Sequence, residues 1–411
     1  MIDPKNASGL AYAILLAGLA TSMWAVDKAP SERNFMEDLA LREEFQIGGR
    51  KAFFYEHAKQ DGKSVPFYLV PADGTIANPP LHVVLHHAGG SAKQAINEAF
   101  AAKHRHQYVA KEHCGLYLDC QSLKTDWWWG WKTIEKNKKL HKRQLQSAEE
   151  RVLQTIEWAV KNQKVDRNRI YLSGRSMGGS GSLGIGYVRG DLFAAILVNV
   201  PAGAEHFLFR LQNSRYPDPP PTINTSSQTD GWAKRQEDLL AYCGENKLPM
   251  IFGWGPFGHA SKPSMANSAV YDFPWREIVK NEAYPVFGNA DSDQVYPGFR
   301  GKGKDQNGQI NGYFRWKNLK DNKGRFSMEL RLVRQDELGK PAAIPKQATA
   351  DVALRRLQNF KTKAGMSYAW RMSRQGKQLQ AGTELANKDG LLTLPKVVIG
   401  EPATLEITPR K

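Results

Sequence analysis

The chain of 411 residues has only three cysteines, Cys114, Cys120 and Cys243. An odd, low number excludes a disulfide framework. Cys114 and Cys120 flank an apolar stretch, GLYLD, that reads as a buried strand, and a strand of that length holds its ends too far apart for a direct bridge. Buried free thiols are therefore expected, and His113 beside Cys114 gives no zinc spacing. No apolar run is long enough to span a bilayer. The phosphate-binding pattern GxxxxGK[ST] is missing, and no GxGxxG stands directly after a strand. So is an EF-hand: the acidic loop 289–293 with Asp305 lacks its pattern and reads as solvated. There is no internal repeat and no low-complexity stretch.

What is present is an ordinary globular composition. Hydrophobic residues make up 41%, enough for one large core and a smaller domain. The net charge is +16, with one dense basic run at 132–143 (KTIEKNKKLHKR). No nucleic-acid module accompanies it, so a solvated basic face is expected, with attraction to an acidic polysaccharide or cell wall as the alternative. Near the N-terminus, Lys5 precedes an apolar run at 10–20 and then small residues. Residues 1–25 thus have the form of a signal peptide, which implies a secreted or periplasmic protein.

Alternation of strand and helix organises residues 40–280. Residues 45–72 read as two antiparallel strands (FQIGGRKAFFYEHA and VPFYLVPA). Strands are expected at 81–85, 116–119, 170–173, 192–200, 221–225 and 248–253, and helices at 92–104, 147–162 and 238–245. Ser147 with Glu150 three residues on gives the second helix a capping signal. This pattern predicts an α/β class with a doubly wound, mostly parallel sheet covered on both faces. Beyond 280 the pattern turns antiparallel, with strands at 308–316, 325–334, 367–376 and 403–408 and one helical segment at 350–360. Residues 281–411 are expected to form a small β-sandwich-like accessory domain.

The chemistry centres on residues 170–184, IYLSGRSMGGSGSLG. A short apolar strand runs into Gly174-Arg175-Ser176-Met177-Gly178 and then a helix of small residues. Glycines leave room for a turn that lifts the Ser176 hydroxyl clear of the sheet, and the following helix start favours developing negative charge. The Met177 N–H is placed as an oxyanion donor. Plain close packing of a glycine-rich helix on the sheet is the competing reading.

This elbow resembles that of the α/β-hydrolase superfamily. Its Gly178-Gly179 extension resembles the esterase-D and polyhydroxybutyrate-depolymerase-like branch, which includes feruloyl and acetylxylan esterases. The resemblance covers roughly residues 65–265 and implies a serine esterase that needs no metal and no organic cofactor. The segment His86-His87-Ala88-Gly89-Gly90-Ser91 resembles the family's oxyanion loop, although His87 and Ala88 stand where glycines are usual. By register Ala88 supplies the second N–H, with His87 as runner-up. Adjacent side chains on an extended segment point to opposite faces, which makes a metal shared by the two histidines the lesser alternative.

The nucleophile needs a base and the base an orienting carboxylate, in the chain order Ser, Asp or Glu, His. Of ten histidines only His206 and His259 follow Ser176. His259 is on a loop after the strand at 248–253, where the family's histidine belongs, and His206 comes one unit too early. Asp230 matches the family's acid loop. Asp218, Glu237, Asp238 and Asp191 are placed less well.

For the substrate, Trp127-Trp128-Trp129-Gly130-Trp131 packs too many rings into one segment for a single core face. Trp128 and Trp129 are candidate binding residues, with Trp232 and Trp254 as pocket walls and His87 beside them; packing is the plainer role for most of these rings. An ester of a polysaccharide (feruloyl or acetyl) or a polyester is the expected substrate, with no nucleic acid as partner and no membrane span. A prolyl-oligopeptidase-like peptidase and a carbohydrate-binding protein on an inactive hydrolase scaffold are the rivals.

Overall fold

In the central strands nearly every residue is buried, so both faces of the sheet are covered. The computed structural model describes residues 34–57, 65–74, 76–101, 107–120, 127–129, 147–259, 266–300 and 307–410. The leader-like segment 1–25 and the basic run 132–143 lie outside the described residues. The first three strands are β1 (Ala40–Ile47), β2 (Arg50–Glu56) and β3 (Pro66–Val70). They form an antiparallel start to the sheet. Then come β4 (Leu81–Leu85), β5 (Cys114–Leu118), β6 (Ile170–Arg175), β7 (Ala195–Asn199), β8 (Thr222–Ser227) and β9 (Met250–Gly255). The strand order is β1-β2-β3-β5-β4-β6-β7-β8-β9, and the pairs from β5 to β9 are all parallel. This is the doubly wound sheet of the α/β-hydrolase fold.

The helices are α1 (Ala92–Phe100), α2 (Ser147–Asn162), α3 (Met177–Val188), α4 (Ala204–Gln212) and α5 (Gln236–Glu245). None of the described helices is long and apolar enough to cross a membrane. The chain leaves β4 for one neighbour, β5, and returns on its other side as β6. Chain order therefore reverses at β4, and at such a switch point the loops beyond the strands' carboxyl ends part to leave a crevice.

The region after residue 280 is antiparallel. One three-stranded sheet joins β10 (Tyr284–Gly288), β14 (Ala348–Arg355) and β17 (Thr393–Ile399). One five-stranded sheet has the order β12 (Phe314–Asn322), β13 (Arg325–Leu332), β18 (Ala403–Pro409), β15 (Ser367–Arg374), β16 (Lys377–Leu385). Met328, Leu330, Leu405, Ile407, Trp370 and Met372 from the larger sheet share one core with Val352, Leu354, Leu394 and Val397 from the smaller. The result is a β-sandwich, but β11 (Gly308–Ile310) leaves it to pair with β9 as the tenth strand of the main sheet. Phe35–Lys411 cluster as a single compact unit.

Three expectations are corrected. The strand expected from residue 45 onward is a hairpin: Gly48 and Gly49, at φ 55° and 75°, make a two-residue turn between β1 and β2. Positive φ at both central residues is the type I′ requirement, whose twist suits antiparallel neighbours. Residues 350–360 are not helical. Ala348–Arg355 is β14, paired on both sides, and its alternating burial follows the sheet's period of two rather than the local propensity of VALRRLQ. The strand expected at 308–316 is broken at Asn311, at φ 60°, into β11 and β12, which belong to different sheets. All three cysteines are buried and free, as expected.

Behind α3, Arg210 of α4 holds Glu149 of α2 by a bidentate pair, with Nη2 donating to Oε2 at 2.9 Å and Nη1 to Oε1; both side chains are fully buried. Removing one partner of such a pair leaves a buried charge uncompensated. Arg210→Met should lower the free energy of unfolding in urea by about 3–5 kcal/mol. The double variant Glu149→Leu/Arg210→Met should recover most of that loss.

Candidate active site

The turn from β6 to α3 is built by exclusion of side chains. A Cβ at position 174 would collide with the Gly178 carbonyl, and a Cβ at 178 would collide with the Leu85 carbonyl at the end of β4. Only glycine lets these main chains touch. Between them Ser176 adopts φ 54° and ψ −120°, a conformation that costs a non-glycine residue on the order of 1–3 kcal/mol. The neighbouring strand holds it there: the Ser176 N–H donates to Asn199 O at 2.9 Å, and Ser176 O accepts from the Ser180 N–H at 3.0 Å.

Ser176 occupies the N-cap position of α3, yet its hydroxyl makes no capping bond. Instead Oγ donates to His259 Nε2 at 2.6 Å. His259 lies beyond β9, and its Nδ1–H donates to Asp230 Oδ2 at 2.6 Å. This assignment of the ring protons follows from the partners: an ionised carboxylate only accepts, and the hydroxyl has a proton to give. Asp230, beyond β8, is 1% exposed, and its second oxygen accepts from the Trp232 N–H at 2.9 Å. The buried carboxylate is thereby fixed in rotation. The Ser176–His259–Asp230 chain sits at the carboxyl ends of the strands, with the imidazole edge open to solvent.

Two sources of N–H groups flank Ser176. Met177 is the first residue of α3, where an N–H has no intrahelical acceptor. Across the Leu85–Gly178 contact lies the His86–Gly90 loop. Gly89 stands at φ 76°, and the Gly90 N–H closes the turn onto His87 O at 3.0 Å. Ala88 is exposed and His87 half-buried. Among the described residues, neither of their N–H groups donates to another main-chain group. Both remain open as the second donor. The His87 ring folds onto its own loop, Nδ1–H donating to Ala88 O at 2.8 Å. His86 is buried, its Nε2 2.9 Å from both Cys120 N and Asp119 Oδ1. Among the described residues, no group of three or more His, Cys, Asp or Glu is placed to hold a metal.

The tryptophans part company. Trp128 is fully buried: its Nε1–H donates to His86 O at 3.0 Å, and its side chain occupies the space that a Cβ at Gly181 of α3 would need. Trp129 is fully buried and stacked on His206, with centroids 5.3 Å apart. Trp254 lies within β9, packed edge-on to Tyr296 at 5.3 Å. All three rings are buried in the core, where they had been expected to face a substrate. The Trp128 ring fills volume that Gly181 of α3 leaves free and that a count of tryptophans cannot reveal. Trp232 differs: it is 47% exposed, with its ring 6.3 Å from that of His259 and 5.8 Å from that of Trp127. Trp127, half-buried, was not singled out from the sequence; only its membership in the tryptophan run marked it. Asp126, Gly130 and Trp131 lie outside the described residues.

No protein-family model matches the chain, and no curated protein matches it. Solved structures similar to part of it include a cold-adapted esterase from an Arctic intertidal metagenomic library, at 15% identity over 57% of this chain and 97% of the other, with a TM-score of 0.41. Fluorophosphonate-binding serine hydrolase F from Staphylococcus aureus is 12% identical over 52% of this chain and 92% of its own, with a TM-score of 0.38. An S-formylglutathione hydrolase from Agrobacterium tumefaciens is 10% identical over 54% and 92%, also at 0.38.

The two classes of tryptophan separate in one measurement. Trp128→Phe strips a donor from the buried His86 carbonyl and should lower stability to urea by about 1–3 kcal/mol. Trp232→Ala, at the surface, should stay within about 0.5 kcal/mol of the parent.

Proposed function

We propose that the chain is a serine carboxylic-ester hydrolase. The observation that carries this reading is the continuous hydrogen-bonded chain from Ser176 through His259 to the buried Asp230, set against the start of α3. In the first step His259 Nε2 takes the Ser176 proton as Oγ attacks the ester carbonyl. Asp230 holds the ring in the tautomer this requires and stabilises the imidazolium that forms. The Met177 N–H and an N–H of the His87–Ala88 segment meet the oxyanion, which forms only in the transition state and the intermediate. The imidazolium then protonates the leaving alcohol. Water, activated by the same nitrogen, attacks the acyl-enzyme and releases the acid.

The finer reading is an exported enzyme that acts on feruloyl or acetyl esters of polysaccharides, or on a polyester. Two features support it. The Trp127–Trp232 rings lie beside the base and offer flat apolar faces to an aromatic acyl group or a sugar ring. The sequence of residues 1–25 has the form of an export leader. Residues 281–411 act as the accessory domain of this enzyme, sharing the main sheet through β11.

A fluorophosphonate should label the protein at Ser176, and p-nitrophenyl acetate should be hydrolysed. Ser176→Ala should abolish labelling and lower kcat on the order of 10^6-fold, and Asp230→Asn should lower it about 10^4-fold. Cleavage of a peptide panel with negligible esterase activity would replace this reading with a peptidase, and the lack of any Ser176 adduct would leave a binding protein. On a panel of acetyl, feruloyl and hydroxyalkanoate esters, Trp232→Ala should raise KM for the feruloyl ester far more than for the acetyl ester.

A further inference from the structure

The residue before the nucleophile has no part in the chemistry just described, yet it reaches the base. Arg175 ends β6 in register with Asn199 of β7, just before the chain turns through Ser176. Its Nη2–H donates to the main-chain carbonyl of His259 at 2.9 Å. The side chain is half-buried. Its alternation along β6 places it on the face of Ser173 and Tyr171, away from α3. We infer that Arg175 is a positioning residue: its guanidinium clips the peptide of His259 to the strand that carries Ser176, and so sets the Oγ–Nε2 distance.

Three physical points support the clip. First, His259 stands on a loop beyond β9, three strands away from β6 in the sheet. Sheet hydrogen bonds therefore do not fix the serine–imidazole distance. The loop has another tie at Phe257 O, from Thr229 Oγ1 at 3.3 Å, which is longer and uncharged. Second, a charge-assisted bond from a half-buried guanidinium is shorter and stronger than a neutral one. Third, the cation sits among acids. Burial pushes the Arg175 pKa below its usual value, while Glu98 of α1 and then Asp230 push it back up. The charge thus shares a field with the carboxylate that orients the base.

The inference rests on the ester-hydrolase reading for its meaning but not for its test. Arg175→Met should lower kcat for p-nitrophenyl acetate by about 10- to 100-fold, as a misplaced base does, with KM held within about twofold. Labelling by the fluorophosphonate should slow in step. Arg175→Lys, which keeps charge and a donor, should recover most of the loss. Arg175→Gln, which keeps a donor alone, should recover less. Independently of turnover, the low-field proton resonance of the His259–Asp230 hydrogen bond should broaden or vanish in Arg175→Met and persist in Arg175→Lys. An unchanged kcat and resonance in Arg175→Met would overturn the inference. So would a loss that tracks the melting temperature and is not recovered by lysine. If the parent protein neither hydrolyses esters nor is labelled, the hydrolase reading fails, and the resonance alone still decides the role of Arg175.

Discussion

Main-chain contact between the end of β4 and the start of α3 is the constraint on which the site depends. The Leu85 carbonyl lies where any side chain at 178 would have to be, and the Gly178 carbonyl lies where a side chain at 174 would be. That proximity brings the His86–Gly90 loop beside the first N–H groups of α3. It also forces Ser176 into a conformation that a polar residue adopts at a cost. The cost is sustained by the bonds that hold the turn, from Ser176 N–H to Asn199 O and from Ser180 N–H to Ser176 O. A serine at a helix start would ordinarily cap it. Here the hydroxyl is aimed elsewhere, and His259 receives it.

Much of this was legible in the sequence, for reasons that differ from part to part. Strand 81–85 and helix 147–162 have the bounds expected of them. A strand covered on both faces is an unbroken apolar run, and a helix with one apolar face shows its period. Ser176, Asp230 and His259 were singled out by chain order and by position after the strands now seen as β6, β8 and β9, and hydrogen bonds join those same side chains. What the sequence hid was set by distant partners. Residues 348–355 pair with β10 and β17, some forty to seventy residues away, and that pairing overrides a local helical pattern. The Gly48-Gly49 turn was overlooked because the apolar alternation continues across it. The guanidinium of Arg175 carried no sequence signal, since the second position of such an elbow tolerates many residues.

The tryptophans show the limit of composition as a guide to binding surfaces. Four rings within five residues suggested a platform, but two of the described three are core. Space for the Trp128 ring is made by Gly181, some fifty residues downstream. Trp128 still matters to the site, through the His86 carbonyl that it holds. The exposed ring beside the base, Trp232, comes from another segment, and its own N–H fixes Asp230. One residue thus orients the acid with its main chain and presents its side chain to solvent.

The tenth strand bears on how the chain acquires its structure. Gly308–Ile310 pairs with β9 from beyond the last parallel strand, and Asn311 next to it ties Met250 O to Phe287 O through its amide. On a ribosome, the segments through His259 would emerge with the outer edge of β9 unpaired, an open template for another chain. Only when residue 310 has cleared the exit tunnel does that edge close. The strand that closes the sheet thus comes from the region that carries the β-sandwich, and it emerges before β12–β18 have been made.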